Sequence, residues 1–197
     1  MGQLVMSIEG ISEASKNLKM PVVSGNVSLY NETDGVAIFP TPTIAAVGII
    51  KEYKNRLTMK PKSGEILWLI GETNGHLGKS ALIEEVLAID SEGPPDVNLE
   101  NELKAGNFIL KLNKLKLIQS CHDLSDGGLA LAAAEMGIMG NKGISLNQAS
   151  VEFLFGEDQG RYLVSSKTKN NDEIIKLAKN ASISVSKVGL VGGRLFR

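Results

Sequence analysis

The chain has 197 residues, 43% of them hydrophobic, which is enough to build a core in one large domain or in one domain and part of another. Its net charge of −1 argues against a nucleic-acid or membrane-surface binder. No apolar run approaches the ~20 residues of a membrane span, and the first residues show no secretory signal. A single cysteine excludes an internal disulfide and favours a cytoplasmic location.

The first third of the chain is predicted to be a helix followed by strands. Apolar residues recur at helical spacing from Leu4 to Leu18, so residues 4–18 predict an amphipathic helix that Pro21 ends. A strand is expected directly after Pro21 and a short one at 36–39. Residues 43–50 are mostly apolar and predict a strand buried on both faces.

The rest of the chain alternates between strand and helix patterns. Charged residues 51–64 indicate a linker, and we place a domain boundary near residue 58. Beyond it, we expect strands at 65–70, 115–121, 143–146, 161–165 and 183–190. We expect helices at 79–89, 98–114, 128–139 and 172–181.

Residues 20–32, MPVVSGNVSLYNE, hold the first candidate site. Gly25 has no side chain, so a ligand can approach its main chain closely. Asn26 and Ser28 add the oxygen and amide groups that magnesium and phosphate oxygens prefer. Ser, Gly and Asn are also common in turns, so a polar hairpin without a ligand is an equal alternative.

Residues 71–80, GETNGHLGKS, follow a predicted strand and open a predicted helix, as a P-loop does. Thr73 stands where the P-loop requires its first glycine, so the motif fails. We expect instead a turn whose backbone amides could hold an anion. His76 is a lone loop histidine, and we expect it to be solvated.

Residues 120–129, SCHDLSDGGL, place Asp123 and Asp126 at a strand-to-helix corner before two glycines. Such carboxylates can hold magnesium, and the glycines let phosphate approach the helix start. The alternative is that Ser125 or Asp126 simply caps the helix. His122 is expected to be a structural hydrogen-bonder and Cys121 a buried apolar residue with no feature that lowers its pKa.

Residues 155–161, FGEDQGR, are a third polar stretch. Glu157, Asp158, Gln159 and Arg161 lie close together in the sequence. They predict either a polar site or an exposed turn, and the residues themselves do not separate the two.

Several of these stretches resemble one enzyme family. PVVSGNVSLYNE at 21–32 resembles the signature of the phosphoribosylformylglycinamidine synthases, in their small-type synthetase subunit. HDLSDGGLALAAAE at 122–135 and FGEDQGRY at 155–162 are similar to later motifs of the same family, in the same order. GETNGHLGKS resembles the turn that opens its AIR-synthase-type C-terminal domain, although Lys79 replaces a small residue.

The resemblance implies an α+β fold built from two parts. Residues 1–58 would end a second AIR-synthase N-terminal-type domain, and residues 59–197 would form an AIR-synthase C-terminal-type domain with a mixed sheet, trimmed at its end. The chain would then be a fragment of a longer protein. The family's catalytic histidines would lie outside it, so we expect no catalytic residue here and no turnover by the chain alone.

The resemblance also implies a reaction. ATP activates the formamide oxygen of formylglycinamide ribotide as a phosphate ester, and ammonia from glutamine displaces phosphate. A glutaminase subunit and a small bridging subunit would be the protein partners. Gly25 would contact ATP, Asn26 would coordinate Mg²⁺, and Ser28 would bind the ribotide. Asp123, Asp126, Glu157 and Gln159 would not be catalytic, and whether they form an auxiliary nucleotide site stays open.

Two alternatives remain. Aminoimidazole ribotide synthetase, selenophosphate synthetase, thiamine-phosphate kinase and the hydrogenase maturation protein share the HDxSDGG type of corner, but SGNVSLYNE is associated here only with the formylglycinamidine synthase. The chain could also be a non-catalytic module that binds nucleotide structurally and holds subunits together. Titration with ATP or ADP and magnesium separates these classes.

Overall fold

The computed structural model describes residues 2–28, 32–147 and 150–193, and its chain divides into two compact units, Met1–Lys51 and Glu52–Arg197. The first unit contains helix α1 (Gly2–Asn17) and a two-residue hairpin of β1 (Glu32–Thr33) and β2 (Val36–Ala37). The predicted first helix is therefore present. None of its described residues is buried, and its apolar stripe is only partly covered.

Two strand predictions for the first unit are wrong. Residues 22–28 and 43–50 are irregular and exposed, with Val47 92% and Ile49 91% accessible to solvent. A strand needs a neighbour to satisfy its backbone N–H and C=O groups. Among the described residues no strand pairs with either segment, and an apolar composition does not supply that neighbour.

The second unit is built on a five-stranded sheet in the order β4–β6–β3–β7–β5. Its strands are β3 (Ile66–Ile70), β4 (Ile118–Asp123), β5 (Ile144–Leu146), β6 (Tyr162–Ser166) and β7 (Val185–Val191). Every strand pair is antiparallel, so the expected α+β fold is confirmed but the sheet is not mixed.

Strand β3 is the centre of this sheet. Trp68 lies opposite Val164 of β6 on one side and Lys187 of β7 on the other, with a register shift beside it. All five β3 residues are buried, as the continuous apolar pattern at 65–70 predicted. The indole N–H of Trp68 donates to Ser166 Oγ at 3.0 Å, which satisfies its one polar atom inside the core.

The described residues of this unit form four α-helices: α2 (Leu99–Lys114), α3 (Gly128–Gly140), α4 (Val151–Phe155) and α5 (Asn171–Ala181). Three of them were predicted within one or two residues. The predicted helix at 79–89 is instead a short π-helix, Leu82–Leu87, which ends where Ala88 adopts a φ of 51°. Helix α4 was missed because five residues show too little periodicity, although Ser150 caps it by accepting from the Phe153 N–H.

The sheet has a hydrophobic cluster on each face, because successive β3 residues point to opposite sides. Helices α2 and α5 cover one face, with a core of Ile66, Trp68, Ile70, Phe108, Ile109, Leu112, Ile118, Val164, Ile174 and Ala178. Helix α3 covers the other face, with Leu67, Leu69, Leu129, Ala132, Ala133, Met136, Ile144, Leu163, Val188 and Val191. Among the described residues, no helix combines the length and apolarity that crossing a bilayer requires.

Candidate functional site

The three residues predicted to bind ligands lie in the first unit. Gly25, Asn26 and Ser28 are all exposed, in the irregular segment that follows Pro21. Among the described residues, no atom lies within 4 Å of the position a Cβ would take at Gly25. The main chain there is open to solvent, but this does not identify a ligand, so the roles of these three residues stay predictions.

The other polar motifs meet in the second unit. Residues 71–81, 123–128 and 155–161 are far apart in the sequence and are joined by hydrogen bonds from the third stretch to the other two. We call this arrangement the three-loop junction. The first stretch follows β3, the second follows β4 and the third precedes β6. The antiparallel pairing of β6 with both other strands therefore brings the three loops together at one end of the sheet.

Asp158 holds the first of these loops. Its Oδ2 accepts the N–H groups of Asn74 at 3.1 Å and Gly75 at 2.9 Å, and its Oδ1 accepts that of His76 at 3.3 Å. The side chain is buried, with 6% of the residue exposed. Successive backbone N–H groups in a turn form an anion-binding concavity. The anion expected at 71–80 is therefore a carboxylate of the chain itself.

Glu157 joins the other two loops. Its Oε1 accepts the N–H of Ala81 at 2.7 Å and that of Gly127 at 2.8 Å, and its own N–H donates to the His76 carbonyl at 2.9 Å. The N-cap residue of α3 is Gly127, so the alternative in which Ser125 or Asp126 caps this helix is wrong. A carboxylate from a distant loop replaces the local cap.

Arg161 is the third charged residue of the junction, and it is 1% exposed. Its Nε donates to the Asp158 carbonyl at 3.0 Å and its Nη2 to the Gly156 carbonyl, while Nη1 lies 3.8 Å from Asp158 Oδ2. Burial lowers the pKa of Arg161, and the nearby carboxylates of Asp158 and Glu157 oppose that shift. Because Asp158 and Arg161 are both buried, the exposed-turn alternative for 155–161 is wrong.

The glycines at the start of α3 accommodate main chain. Gly128 has a φ of +60°, and a Cβ there would lie 2.5 Å from the Gly156 carbonyl oxygen and 2.9 Å from that of Leu154. No side chain fits between these backbones. The space expected for a phosphate at this corner is therefore taken by the 154–156 segment, which corrects that prediction.

The two carboxylates of the corner, considered above as a magnesium site, lie at the protein surface. Asp123 and Asp126 are exposed, and the described part of the chain contains no group of three or more His, Cys, Asp or Glu residues arranged to hold a metal ion. His122 is instead placed between carboxylates, with Nε2 2.7 Å from Glu135 and Nδ1 3.2 Å from Asp123. Both ring nitrogens thus have hydrogen-bond partners, as expected, and the structural role stays a prediction.

Cys121 and His76 complete the set of predicted residues. Cys121 is half-buried rather than buried, and burial, with a contribution from the Asp123 carboxylate, raises the pKa of its thiol to about 12, in the direction expected. His76 is only half-exposed, and its Nε2 lies 2.8 Å from the Gly93 carbonyl, so the expectation of a simply solvated side chain is wrong.

A polar cavity of about 250 Å³ lies against the junction. Glu72, Asn74 and Gln159 line it from the junction loops, and Asn101 and Lys104 line it from the first turns of α2. The lining carries charges of both signs together with amide groups, so it suits a small polar molecule and shows no preference for an anion.

Residues 62–195 match the family model described as AIR synthase related protein, C-terminal domain. The chain belongs to this family. The matched range runs from before β3 to beyond β7, so the sheet, both hydrophobic clusters and the three-loop junction are all parts of an AIR synthase C-terminal domain. The residues that precede this domain include the segment with Gly25, Asn26 and Ser28.

Similar proteins and structures extend this finding. The chain is 46% identical to the phosphoribosylformylglycinamidine synthase subunit PurL of Bartonella bacilliformis, across 98% of this chain and 27% of the relative. It therefore spans about a quarter of that relative's length. Among solved structures, T. maritima PurL complexed with FGAR has a TM-score of 0.62 at 18% identity, over 71% of this chain and 26% of that one. T. maritima PurL complexed with ATP has a TM-score of 0.56 at 18% identity, over 71% of this chain and 24% of that one. At this identity the structures share the fold with our chain.

Proposed function

We propose that the chain is a part of a phosphoribosylformylglycinamidine synthase, a carbon–nitrogen ligase of purine biosynthesis. The observation that carries the proposal is the 46% identity to B. bacilliformis PurL across 98% of this chain. The segment SGNVSLYNE at 24–32 supports this enzyme over the others that share the HDxSDGG corner. The single thiol, Cys121, supports a cytoplasmic location.

In the proposed reaction, the formamide oxygen of formylglycinamide ribotide is activated as a phosphate ester at the expense of ATP. Ammonia that a glutaminase subunit releases from glutamine then displaces the phosphate, and a small bridging subunit completes the complex. Holding the transferring phosphate and neutralising its charge are the main tasks of the protein in such chemistry.

We assign the ligand contacts to the exposed segment of the first unit. The bare main chain at Gly25 leaves room for ATP phosphates, and Ser28 offers a hydroxyl to the ribotide. The exposed amide oxygen of Asn26 is a hard donor of the kind Mg²⁺ prefers, so Asn26 fits as one of its ligands. Bound Mg²⁺ supplies positive charge against the phosphate oxygens.

The second unit has a supporting role in this proposal. The backbone amides of its junction that could hold a phosphate already bind Asp158 and Glu157. The same observation favours a second candidate function for the chain on its own, a non-catalytic module within the larger enzyme. Titration of the purified chain with ATP and Mg²⁺ tests that candidate, since a module without a nucleotide site gives no binding signal.

The proposed function is tested by exchanging the matching segment of B. bacilliformis PurL for residues 1–197 of this chain. The hybrid is expected to make formylglycinamidine ribotide from formylglycinamide ribotide, ATP and ammonia, and the unchanged relative is the control. A hybrid that folds like the control, as circular dichroism and gel filtration report, but forms no product contradicts the proposal. Turnover by the isolated chain contradicts its expected inactivity.

A further inference from the structure

Asn74 and Gly75 form the only Asn-Gly pair in the sequence. Asparagine followed by glycine is chemically labile, because no side chain hinders attack of the glycine nitrogen on the asparagine side-chain carbonyl. Asn74 is exposed, in the loop that carries three of the junction's hydrogen bonds. Nothing in the proposed reaction uses this pair.

The nitrogen that would attack is held by Asp158. The Gly75 N–H donates to Asp158 Oδ2 at 2.9 Å, and the N–H groups of Asn74 and His76 bind the same carboxylate. Because the Asn74 and Gly75 N–H groups bind the same carboxylate, the Asn74 ψ torsion between these two nitrogens is restrained. The chain therefore cannot rotate freely to bring the Gly75 nitrogen onto the Asn74 side chain.

The negative charge of Asp158 also opposes attack by the Gly75 nitrogen. Attack requires the Gly75 nitrogen to give up its proton and develop negative charge. That charge would form 2.9 Å from a carboxylate oxygen on a residue that is 6% exposed, where repulsion is much stronger than in water. Arg161 lies 3.8 Å from the same oxygen, so it offsets only part of this repulsion.

We propose that Asn74 is a deamidation site and that Asp158 slows its deamidation in the folded chain. When Asp158 releases the loop, the Gly75 nitrogen bonds to the Asn74 Cγ, and the Cγ–Nδ2 bond breaks. Ammonia leaves with the proton that Gly75 loses. Water then opens the five-membered imide at either carbonyl, which leaves aspartate or isoaspartate at position 74.

The product does not restore the junction. A carboxylate at position 74 lies in the loop that Asp158 binds, and like charges repel. Isoaspartate also lengthens the main chain by one carbon beside Gly75, where even a Cβ would lie 2.7 Å from the Glu152 Cβ. Deamidation is thus a one-way change that weakens the binding of residues 74–76 by Asp158, while the bonds from Glu157 to Ala81 and His76 remain.

The test is peptide mapping by mass spectrometry after incubation of the full chain at mildly alkaline pH. The free peptide 71–79 gives the unprotected rate. Asn74 in the native chain is expected to react roughly tenfold more slowly than in the peptide, an effect of the size of one charge-assisted hydrogen bond. The Asp158→Asn variant should approach the peptide rate.

Two variants serve as controls. Glu157→Gln alters a side chain of the same junction whose carboxylate binds Ala81 and Gly127 rather than residues 74–76, and it should keep the slow native rate. Asn74→Gln in the Asp158→Asn background should remove the modified peptide. A native rate equal to that of the peptide overturns the proposal. A deamidation rate of Asp158→Asn that is equal to or below the native rate also overturns it, because the carboxylate would then have no effect on the reaction or would act as a base.

If circular dichroism shows that Asp158→Asn is unfolded, the native chain in increasing urea decides the question. The Asn74 rate should then rise with the unfolded fraction. A rate that is already at the peptide value before unfolding begins overturns the proposal.

Discussion

At the scale of single residues, the second unit is organised by charged side chains that bind main-chain groups. Together, Asp158, Glu157 and Arg161 bind backbone groups of six other residues. The carboxylates accept the N–H groups of Asn74, Gly75, His76, Ala81 and Gly127, and the guanidinium donates to the Gly156 carbonyl. Hydrogen bonds to ionised groups are stronger than those between neutral groups. These residues therefore fix loop geometry.

Arg161 provides the clearest test of this arrangement. Arg161→Met should lower the free energy of unfolding by about 3–5 kcal/mol, because it leaves the buried Asp158 carboxylate without its cation and the Gly156 carbonyl without its donor. The free energy of unfolding of Arg161→Lys should lie between those of the native chain and Arg161→Met, since one ammonium cannot reproduce the several donors of a guanidinium. Urea unfolding measures both, and a Met variant within about 0.5 kcal/mol of the native chain would contradict a role in stability.

The roles of these residues were visible in the sequence only in part. FGEDQGR was recognisable as a polar cluster, but its partners Ala81 and Asn74 lie 76 and 84 positions away from Glu157 and Asp158. Local patterns carry no information about contacts at that separation. The glycines at 75 and 127 were the available signal, since both mark places where main chain is approached closely.

At the scale of secondary structure, prediction succeeded in the second unit where a regular pattern coincided with burial. Helix α2 buries Ala105, Phe108, Ile109 and Leu112, which follow helical spacing. Segment 43–50 has an equally apolar composition but no pairing strand among the described residues, and it is exposed. Whether an apolar run becomes a strand depends on its neighbours, which its own residues do not specify.

The glycine at the start of α3 should be irreplaceable, whereas one inside α2 should not. Gly128→Ala introduces a Cβ at a φ of +60°, 2.5 Å from the Gly156 oxygen, and should destabilise the chain by about 2 kcal/mol or more. Gly106→Ala is the matched control. Its nearest atom beyond the helix's own backbone is the Tyr162 hydroxyl at 3.7 Å, and it should stabilise by about 0.5–1 kcal/mol.

Thermal unfolding of the two glycine variants distinguishes the explanations. Opposite shifts in Tm support the close backbone approach at the corner of α3. Equal shifts would mean that the 154–156 segment moves aside easily, and that the corner has room for a ligand after all.

At the scale of the whole molecule, the two units differ in how they are stabilised. All buried residues of the described chain belong to Glu52–Arg197, which has a hydrophobic cluster on each face of its sheet. Within Met1–Lys51, the described residues are all at least partly exposed, including Gly25, Asn26 and Ser28. Stability and proposed ligand binding are thus assigned to different parts of the chain.

The family match supports the same division. The AIR synthase C-terminal domain occupies residues 62–195, and the proposed ligand contacts precede it. The sequence-based boundary at residue 58 and the domain type assigned to residues 1–58 stay predictions. We place the metal ligand, Asn26, in the N-terminal segment and assign no catalytic role to Asp123 or Asp126.

The measurement that tests this division most directly is a Mg²⁺ titration of the hybrid synthase with single substitutions. Asn26→Asp adds a charge where we place the cation, so the Mg²⁺ concentration for half-maximal activity should shift about tenfold or more, the effect of roughly 1.4 kcal/mol at the ion. Asp126→Asn, in the exposed corner, should leave it unchanged. An unchanged Mg²⁺ requirement in Asn26→Asp, or a shift in Asp126→Asn alone, would contradict the account.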